Sequence, residues 1–138
     1  MRTLRALVFV LPVAWLGGLY LSAAEPGNIE RGKYLVDEVA KCGDCHTPVG
    51  SAGPDQTRYL KGAELIFQPI QPVKDWHKAS PDLTPAGRLW ARWKEEGLIK
   101  FLETGLGPSG HAADPPMPAY KLRADDAEAI VAYLKSLK

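Results

Sequence analysis

The stretch Cys42-Gly43-Asp44-Cys45-His46 contains both cysteines of this 138-residue chain, and a histidine directly follows the second one. Two cysteines are too few for a multi-bridge disulfide scaffold, so their spacing is the informative feature. No apolar strand precedes Cys42, whereas a thioredoxin-like thiol pair normally opens a helix after a strand. A zinc site is also disfavoured, because the other histidines, His77 and His111, are isolated in the sequence.

The chemistry that best explains this spacing is covalent attachment of a c-type haem. In that reaction the two thiols add across the vinyl groups of the haem. The adjacent imidazole is then carried beneath the ring, where it can bind the iron as the proximal axial ligand. The sequence therefore predicts one haem c, with Cys42 and Cys45 as thioether anchors and His46 as an iron ligand.

Residues 1–24 are expected to be an export signal rather than part of the fold. Two arginines give a basic start, and residues 6–24 are uncharged and end in Ser-Ala-Ala, which suits a signal peptidase. Cleavage after Ala24 would leave one domain over residues 25–138. The alternative is an uncleaved anchor, because residues 6–24 come close to the roughly 20 residues that span a bilayer. Either way, we expect a periplasmic domain that contacts a membrane only if the anchor is retained.

Met117 is the first candidate for a second axial ligand. It is the only methionine beyond Met1, and it lies in a segment with three prolines within four residues. These prolines exclude a helix and stiffen the loop, so the side chain could be held against a metal at a small entropic cost. His111 is the second candidate and would give bis-His ligation, and His77 is the third. A methionine that only fills a gap in the core is the alternative without function.

The charge balance is nearly even, with 17 Lys+Arg against 16 Asp+Glu and a net charge of +1. This charge is too small and too evenly distributed for a polyanion-binding surface, so nucleic acid is not an expected partner. The sequence also contains no recognisable nucleophile with its base and no pair of tuned carboxylates. An enzyme with its own substrate pocket is therefore not expected.

Three segments have the apolar spacing of helices, and they cover residues 29–40, 94–103 and 125–138. Gly105 is a natural stop for the second helix. The region between His46 and Trp90 is rich in proline and glycine and is predicted to be mostly loop. The apolar positions that define the three helices are Leu35, Val36 and Val39; Leu98, Ile99, Phe101 and Leu102; and Ala127, Ile130, Val131, Leu134 and Leu137.

Together, the motif and helices of residues 28–138 resemble a class I cytochrome c. The most specific blocks are RGKYLVDEVAKCGDCHTP at 31–48 and PPMPAYKLRADDAEAIVAYLKSLK at 115–138. They are similar to mono-haem cytochromes and to cytochrome subunits of exported dehydrogenases. A middle block, SPDLTPAGRLWARWKEEGLIKFLETG, departs from the usual pattern at Asp82 and Lys94. The resemblance implies an all-α fold, in which three main helices and long loops surround one haem and the first and last helices cross.

The resemblance also suggests which carbonyl orients the iron-binding histidine. The family habit of using a proline near a Gly-Pro turn points to Pro54, with Pro48 as the competitor, as the acceptor for His46.

Other side chains are weaker candidates for contacts around the haem. Trp76, Tyr59 and Trp90 could each donate to a haem propionate, although simple aromatic packing is at least as good an explanation. Tyr133 is expected to pack on the first helix near Tyr34. Lys41 and Lys121 could steer an acidic partner.

The expected function is single-electron transfer in the periplasm, with His46 and Met117 as axial ligands. Such ligation raises the reduction potential relative to bis-His ligation, which suits transfer from a donor dehydrogenase to an acceptor oxidase or another cytochrome. One alternative is an obligate electron-transfer subunit of a dehydrogenase complex. A second is a haem sensor or enzyme with an open iron site, and a third is a thiol-disulfide module without haem.

Overall fold

The computed structural model describes residues 26–138, so the predicted export segment at residues 1–24 lies outside the described part of the chain. Within residues 26–138, no helix has both the length and the apolar character needed to cross a membrane. The described residues form four α-helices: α1 (Pro26–Tyr34), α2 (Gly43–His46), α3 (Arg88–Thr104) and α4 (Ala124–Ser136).

The region between α2 and α3 contains short strands in addition to loop. Four two-residue strands form two antiparallel pairs: β1 (Val49–Gly50) with β2 (Gly53–Pro54), and β3 (Ala63–Glu64) with β4 (Ala79–Ser80). The expectation of an all-α chain is therefore met only in part. Strands this short show no alternating pattern in a sequence, which is why the sequence predicts loop here.

The first helix begins and ends differently from the predicted helix over 29–40. α1 continues into a wider π-helical turn at Leu35–Val39, which is closed by a 2.7 Å bond from the Ala40 N–H to the Leu35 carbonyl. Lys41 then adopts a left-handed conformation with φ of 53°. The chain changes direction at Lys41, and the cysteine motif begins at the next residue, Cys42.

The middle helix α3 is divided by a kink at Lys94, where φ is 57° and ψ is 178°. Its second half, 95–104, corresponds to the helix predicted over 94–103. Its first half, 88–93, is absent from the prediction, because the kink shifts the apolar face and interrupts the helical period. Gly105 ends the helix in the left-handed conformation with φ of 75°, as its position predicts.

The core forms where α4 crosses α1 and the π-helical turn. Val36 is fully buried, and Ile130 and Leu134 of α4 are almost fully buried in the same cluster. Tyr133 packs against α1 at Gly32, in agreement with its predicted contact with the first helix. An ion pair of 2.8 Å between Arg31 and Asp126 joins the two helices at the surface. This crossing fixes the end of α1 from which the cysteine motif emerges.

Candidate functional site

The motif at 42–46 is a single helical turn, α2, which is held against the end of the first helix. The Cys42 N–H donates to the Val36 carbonyl at 3.0 Å, and the His46 N–H donates to the Cys42 carbonyl at 2.9 Å. Residues at i, i+3 and i+4 share one face of a helix. Both thiols and the imidazole therefore lie on the same face of this turn.

The imidazole of His46 is 5% exposed, and its Nδ1 lies 2.8 Å from the carbonyl oxygen of Pro81. A carbonyl can only accept, so Nδ1 carries the proton and Nε2 keeps the lone pair that a metal needs. Burial lowers the pKa of His46, although the hydrogen bond to Pro81 opposes that shift. The ring is thus favoured in the neutral form that binds iron.

The acceptor for His46 is Pro81, so the prediction of Pro54 or Pro48 is wrong. The Pro48 carbonyl instead accepts the Asp55 N–H at 2.8 Å, and Pro54 pairs with Val49 in the β1–β2 hairpin. The proline that reaches His46 is 35 positions away in the sequence, so local spacing could not reveal it.

Ser80 brings Pro81 to the motif by bridging β4 to the α2 turn. Its hydroxyl donates to the Cys45 carbonyl at 2.5 Å and accepts the Ala63 N–H at 3.0 Å. The residue directly after Ser80 is therefore held beside the turn that carries His46.

The two cysteines do not have the properties of a thiol-exchange pair. Burial raises the pKa of Cys42 to about 11, and it also raises the pKa of Cys45, with the Asp44 carboxylate adding to the second shift. Disulfide oxidoreductases need an exposed thiol with a lowered pKa. The raised pKa values therefore disfavour the thiol-disulfide alternative and are compatible with thiols that are consumed in thioether bonds.

The loop that carries Met117 lies beside the motif. Met117 is half-buried, and its N–H donates to the Asp114 carbonyl at 3.3 Å in a tight turn. Three residues later, the Tyr120 hydroxyl donates to the Ala40 carbonyl at 3.1 Å, just before Cys42. Burial raises the pKa of Tyr120, and the thiols of Cys42 and Cys45 add to the shift. The loop and the motif are thus neighbours in space.

The two other histidines lie at the surface. The side chain of His77 is 62% exposed, and its Nε2 lies 3.0 Å from a carboxylate oxygen of Asp114. His111 is exposed, with its Nδ1 3.4 Å from the Ser109 hydroxyl. Neither histidine shares the burial of His46, so both remain weaker ligand candidates than Met117.

Hydrogen bonds within the protein distinguish the three aromatic residues that were considered as propionate donors. The Trp90 indole N–H donates to the Leu83 carbonyl at 2.8 Å, and the Tyr59 hydroxyl donates to Asp37. Within the described residues, the Trp76 indole nitrogen is buried without a partner. A buried N–H left unpaired costs about 1–3 kcal/mol. A carboxylate from a bound group would satisfy it, so the unpaired donor of Trp76 fits a haem with propionates.

The two lysines that were expected to face an acidic partner have different surroundings. Lys41 lies 3.1 Å from the Glu38 carboxylate, whereas Lys121 is exposed. The ion pair leaves less of the Lys41 charge available for a partner. That these lysines steer an acidic partner stays a prediction.

Two thiols and a buried imidazole on one turn, with the Nδ1 of the imidazole held by a carbonyl, are the features of a domain that attaches haem covalently. The sequence model of cytochrome c matches residues 29–138, and the chain belongs to the cytochrome c family. The family implies covalent haem c with its iron, as the motif predicts.

Comparison with curated proteins gives similar sequences among the cytochrome subunits of bacterial dehydrogenases. The fructose dehydrogenase cytochrome subunit of Gluconobacter japonicus is 36% identical over 114 residues, which cover 78% of this chain and 21% of the relative. The gluconate 2-dehydrogenase cytochrome c subunit of Pantoea cypripedii is 30% identical over 84% of this chain and 27% of the relative. The diheme cytochrome c-type protein of Cereibacter sphaeroides is 33% identical over 87% of this chain and 42% of the relative.

The chain therefore spans less than half the length of these relatives. Two of them are named as cytochrome subunits of dehydrogenases, which agrees with the expectation of an electron-transfer role rather than catalysis on a substrate.

Proposed function

We propose that this chain is a periplasmic electron-transfer cytochrome that carries one haem c, with His46 and Met117 as the axial ligands of the iron. The observation that carries the proposal is the buried imidazole of His46, which the Pro81 carbonyl orients and which lies on the same turn as both cysteines. Bound haem supplies one-electron chemistry between ferric and ferrous iron. The single pair of cysteines in the sequence limits the chain to one attachment motif.

The protein's own residues would hold and orient the group. Cys42 and Cys45 fix it covalently, and the bond from Nδ1 to Pro81 sets the orientation of the His46 ring and makes Nε2 the metal-binding nitrogen. The proline-rich loop offers the thioether of Met117, and Trp76 offers an unpaired N–H to a propionate.

A dehydrogenase is the proposed electron donor. The support is that relatives of this chain are named as cytochrome subunits of fructose and gluconate dehydrogenases. The same names favour a second candidate, in which the chain is a permanent subunit of such a complex rather than a free carrier.

Absorption spectra of the purified, exported protein test the ligation. The oxidised protein is expected to show the weak long-wavelength band of methionine-bound ferric haem, and Met117→Ala should abolish the band while the haem stays attached. His111→Ala is the control and should retain the band, because His111 is exposed and bonded only to Ser109. An unchanged spectrum in Met117→Ala would reject Met117 as a ligand. A low-spin wild-type spectrum without the band, which becomes high-spin in His111→Ala, would instead favour bis-His ligation.

Attachment is tested separately from ligation. Cys42→Ala and Cys45→Ala should each impair covalent attachment, seen as haem that an acidified organic solvent extracts from the protein. Each of these variants keeps one thiol that can still bind a vinyl group, so the double variant Cys42→Ala/Cys45→Ala is the decisive test. Haem that resists extraction from the double variant would contradict the thioether assignment.

The state of the isolated protein distinguishes the free carrier from the subunit. A free carrier should elute from size exclusion as a monomer and be reduced by a dehydrogenase added in solution. A protein purified from its native host only together with a dehydrogenase would support the second candidate.

A further inference from the structure

One short segment, residues 77–81, contacts both the turn that carries His46 and the loop that carries Met117. At its end, the Pro81 carbonyl accepts from His46 Nδ1 at 2.8 Å, and the Ser80 hydroxyl donates to the Cys45 carbonyl at 2.5 Å. At its start, the His77 N–H donates to the Pro115 carbonyl at 2.8 Å. Both candidate ligands of the iron are thus tied to one continuous piece of backbone.

The segment is itself held in place by its pairing with the preceding strand. β4 pairs with β3, and the Lys78 carbonyl accepts the Leu65 N–H at 2.8 Å just before this pairing begins. A displacement of either end would therefore strain the strand pair between them. This makes the segment a fixed spacer between the two ligand-bearing elements.

The contact specific to the His77 side chain is the one between its ring nitrogen and the Asp114 carboxylate. His77 Nε2 lies 3.0 Å from Asp114 Oδ2, and the Asp114 carbonyl accepts the Met117 N–H at 3.3 Å. The side chain of His77 therefore contacts Asp114, which is the first residue of the turn that carries Met117. The backbone bond to Pro115 would survive any substitution except proline, so replacing the side chain isolates the effect of its contact with Asp114.

We propose that His77 is a positioning residue for Met117, which acts through Asp114 to hold the thioether at a fixed separation from His46. The inference rests on the proposed function, because it needs Met117 to bind the iron. His77 does not touch the iron in this arrangement. It acts by limiting the movement of the loop 114–117 away from the segment 77–81.

Competition by imidazole for the ferric iron measures this effect directly. His77→Ala should bind imidazole about two- to fivefold more tightly than the wild-type protein, the range expected for loss of one exposed contact with a carboxylate. Asp114→Ala should give a similar change, and the double variant should add little to either single one, because all three remove the same contact. The long-wavelength band should remain without imidazole and disappear at a lower imidazole concentration.

Two further variants separate positioning from a general structural effect. His77→Gln keeps an N–H near the Asp114 carboxylate and should restore imidazole affinity toward the wild-type value. The His111 side chain lies 3.4 Å from the Ser109 hydroxyl and, within residues 26–138, forms no hydrogen bond to the loop 114–117. His111→Ala should therefore leave the affinity unchanged. The denaturant midpoint of His77→Ala should stay close to that of the wild-type protein.

The outcomes distinguish this inference from the proposed function. Wild-type imidazole affinity in His77→Ala, in a protein whose band depends on Met117, would overturn the role of His77 alone. A band that survives Met117→Ala would overturn both, because the loop would then hold no ligand. A gain in affinity that His77→Gln fails to reduce, accompanied by a lower denaturant midpoint, would show a structural effect and would also overturn the inference.

Discussion

The backbones of Gly32 in α1 and Ala129 in α4 are in direct contact. A β-carbon placed on Gly32 would lie 1.9 Å from the Ala129 carbonyl oxygen and 2.7 Å from the Cβ of Tyr133. Real Cβ atoms do not approach carbonyl oxygens this closely, so only glycine permits the helices to cross at this distance. The crossing in turn supports the end of α1 from which the cysteine motif emerges.

Gly32→Ala is expected to destabilise the protein strongly. Backbone atoms have to move apart, and overpacking of this kind costs about 1–3 kcal/mol or more. Denaturant unfolding of the haem-loaded protein measures the change. Gly50→Ala is the matched control, because a β-carbon there would meet nothing closer than 3.9 Å, and its effect should stay within about 0.5 kcal/mol. Equal stabilities for the two variants would contradict the close crossing.

Trp76→Phe should raise the pKa of a haem propionate, because the carboxylate would lose a charge-assisted hydrogen bond of about 1.5–3 kcal/mol, or roughly one to two pKa units. The pH dependence of the midpoint potential reports this pKa. Phenylalanine also preserves an aromatic ring against Phe67, whose centroid lies 5.9 Å away.

Trp90→Phe is the control for the Trp76 variant, because its indole donates to the Leu83 carbonyl inside the protein. It should lower the free energy of unfolding by about 1 kcal/mol and leave the pH dependence of the potential unchanged. If Trp76→Phe also left that dependence unchanged, its N–H would not serve a propionate.

Tyr59→Phe should change both stability and its dependence on pH. Burial, followed by the hydrogen bond to Asp37, raises the pKa of Tyr59 above its ordinary value of 10.0. The folded protein then keeps the phenol proton where the unfolded chain loses it, so the free energy of unfolding falls as the pH rises above 10. The variant should have a shallower fall there and lose about 1–2 kcal/mol at neutral pH. Unfolding curves from pH 7 to 11 provide the test.

Tyr34→Phe is the comparison for the Tyr59 variant, because Tyr34 is 52% exposed. It should keep the alkaline slope of the wild-type protein and change stability by less than about 0.5 kcal/mol. The same alkaline slope in Tyr59→Phe would show that other groups govern the loss of stability.

Lys94→Gly is expected to stabilise the protein even though the residue lies within a helical segment. With φ of 57° and ψ of 178°, Lys94 occupies a region nearly restricted to glycine, at a cost of about 1–3 kcal/mol. Glu96→Gly, at an exposed helical position two residues on, should instead lower the free energy of unfolding by about 1 kcal/mol. Thermal unfolding of the pair should therefore shift in opposite directions, and a loss in both would contradict the strained kink.

Features that depend on near neighbours could be predicted from the sequence. The last helix was predicted over 125–138 and is observed at Ala124–Ser136, because its buried stripe follows a regular helical period. The cysteine motif could be interpreted for the same reason, since five adjacent residues contain its chemistry. Gly105 could be assigned as a helix end because its conformational freedom suits that position.

Features that depend on distant parts of the chain could not be predicted. The acceptor for His46 is fixed by the pairing of β4 with β3 and by Ser80, neither of which leaves a local pattern. Spacing alone also could not decide which aromatic side chain keeps a free donor, since this depends on the partners of Trp90 and Tyr59 in three dimensions. Ligation by Met117 remains a prediction.

The ion pair between Arg31 and Asp126 joins residues 95 positions apart. When α1 meets α4, the chain between these two residues therefore closes into a long loop. Closing a flexible loop of that length carries a length-dependent entropic cost of about 4 kcal/mol. Contacts of such high sequence separation slow folding. A link between residues 46 and 117, as the proposed axial ligands would provide, shortens the loop that remains to be closed. The same bonds that would hold the iron would therefore also hasten the meeting of the two terminal helices.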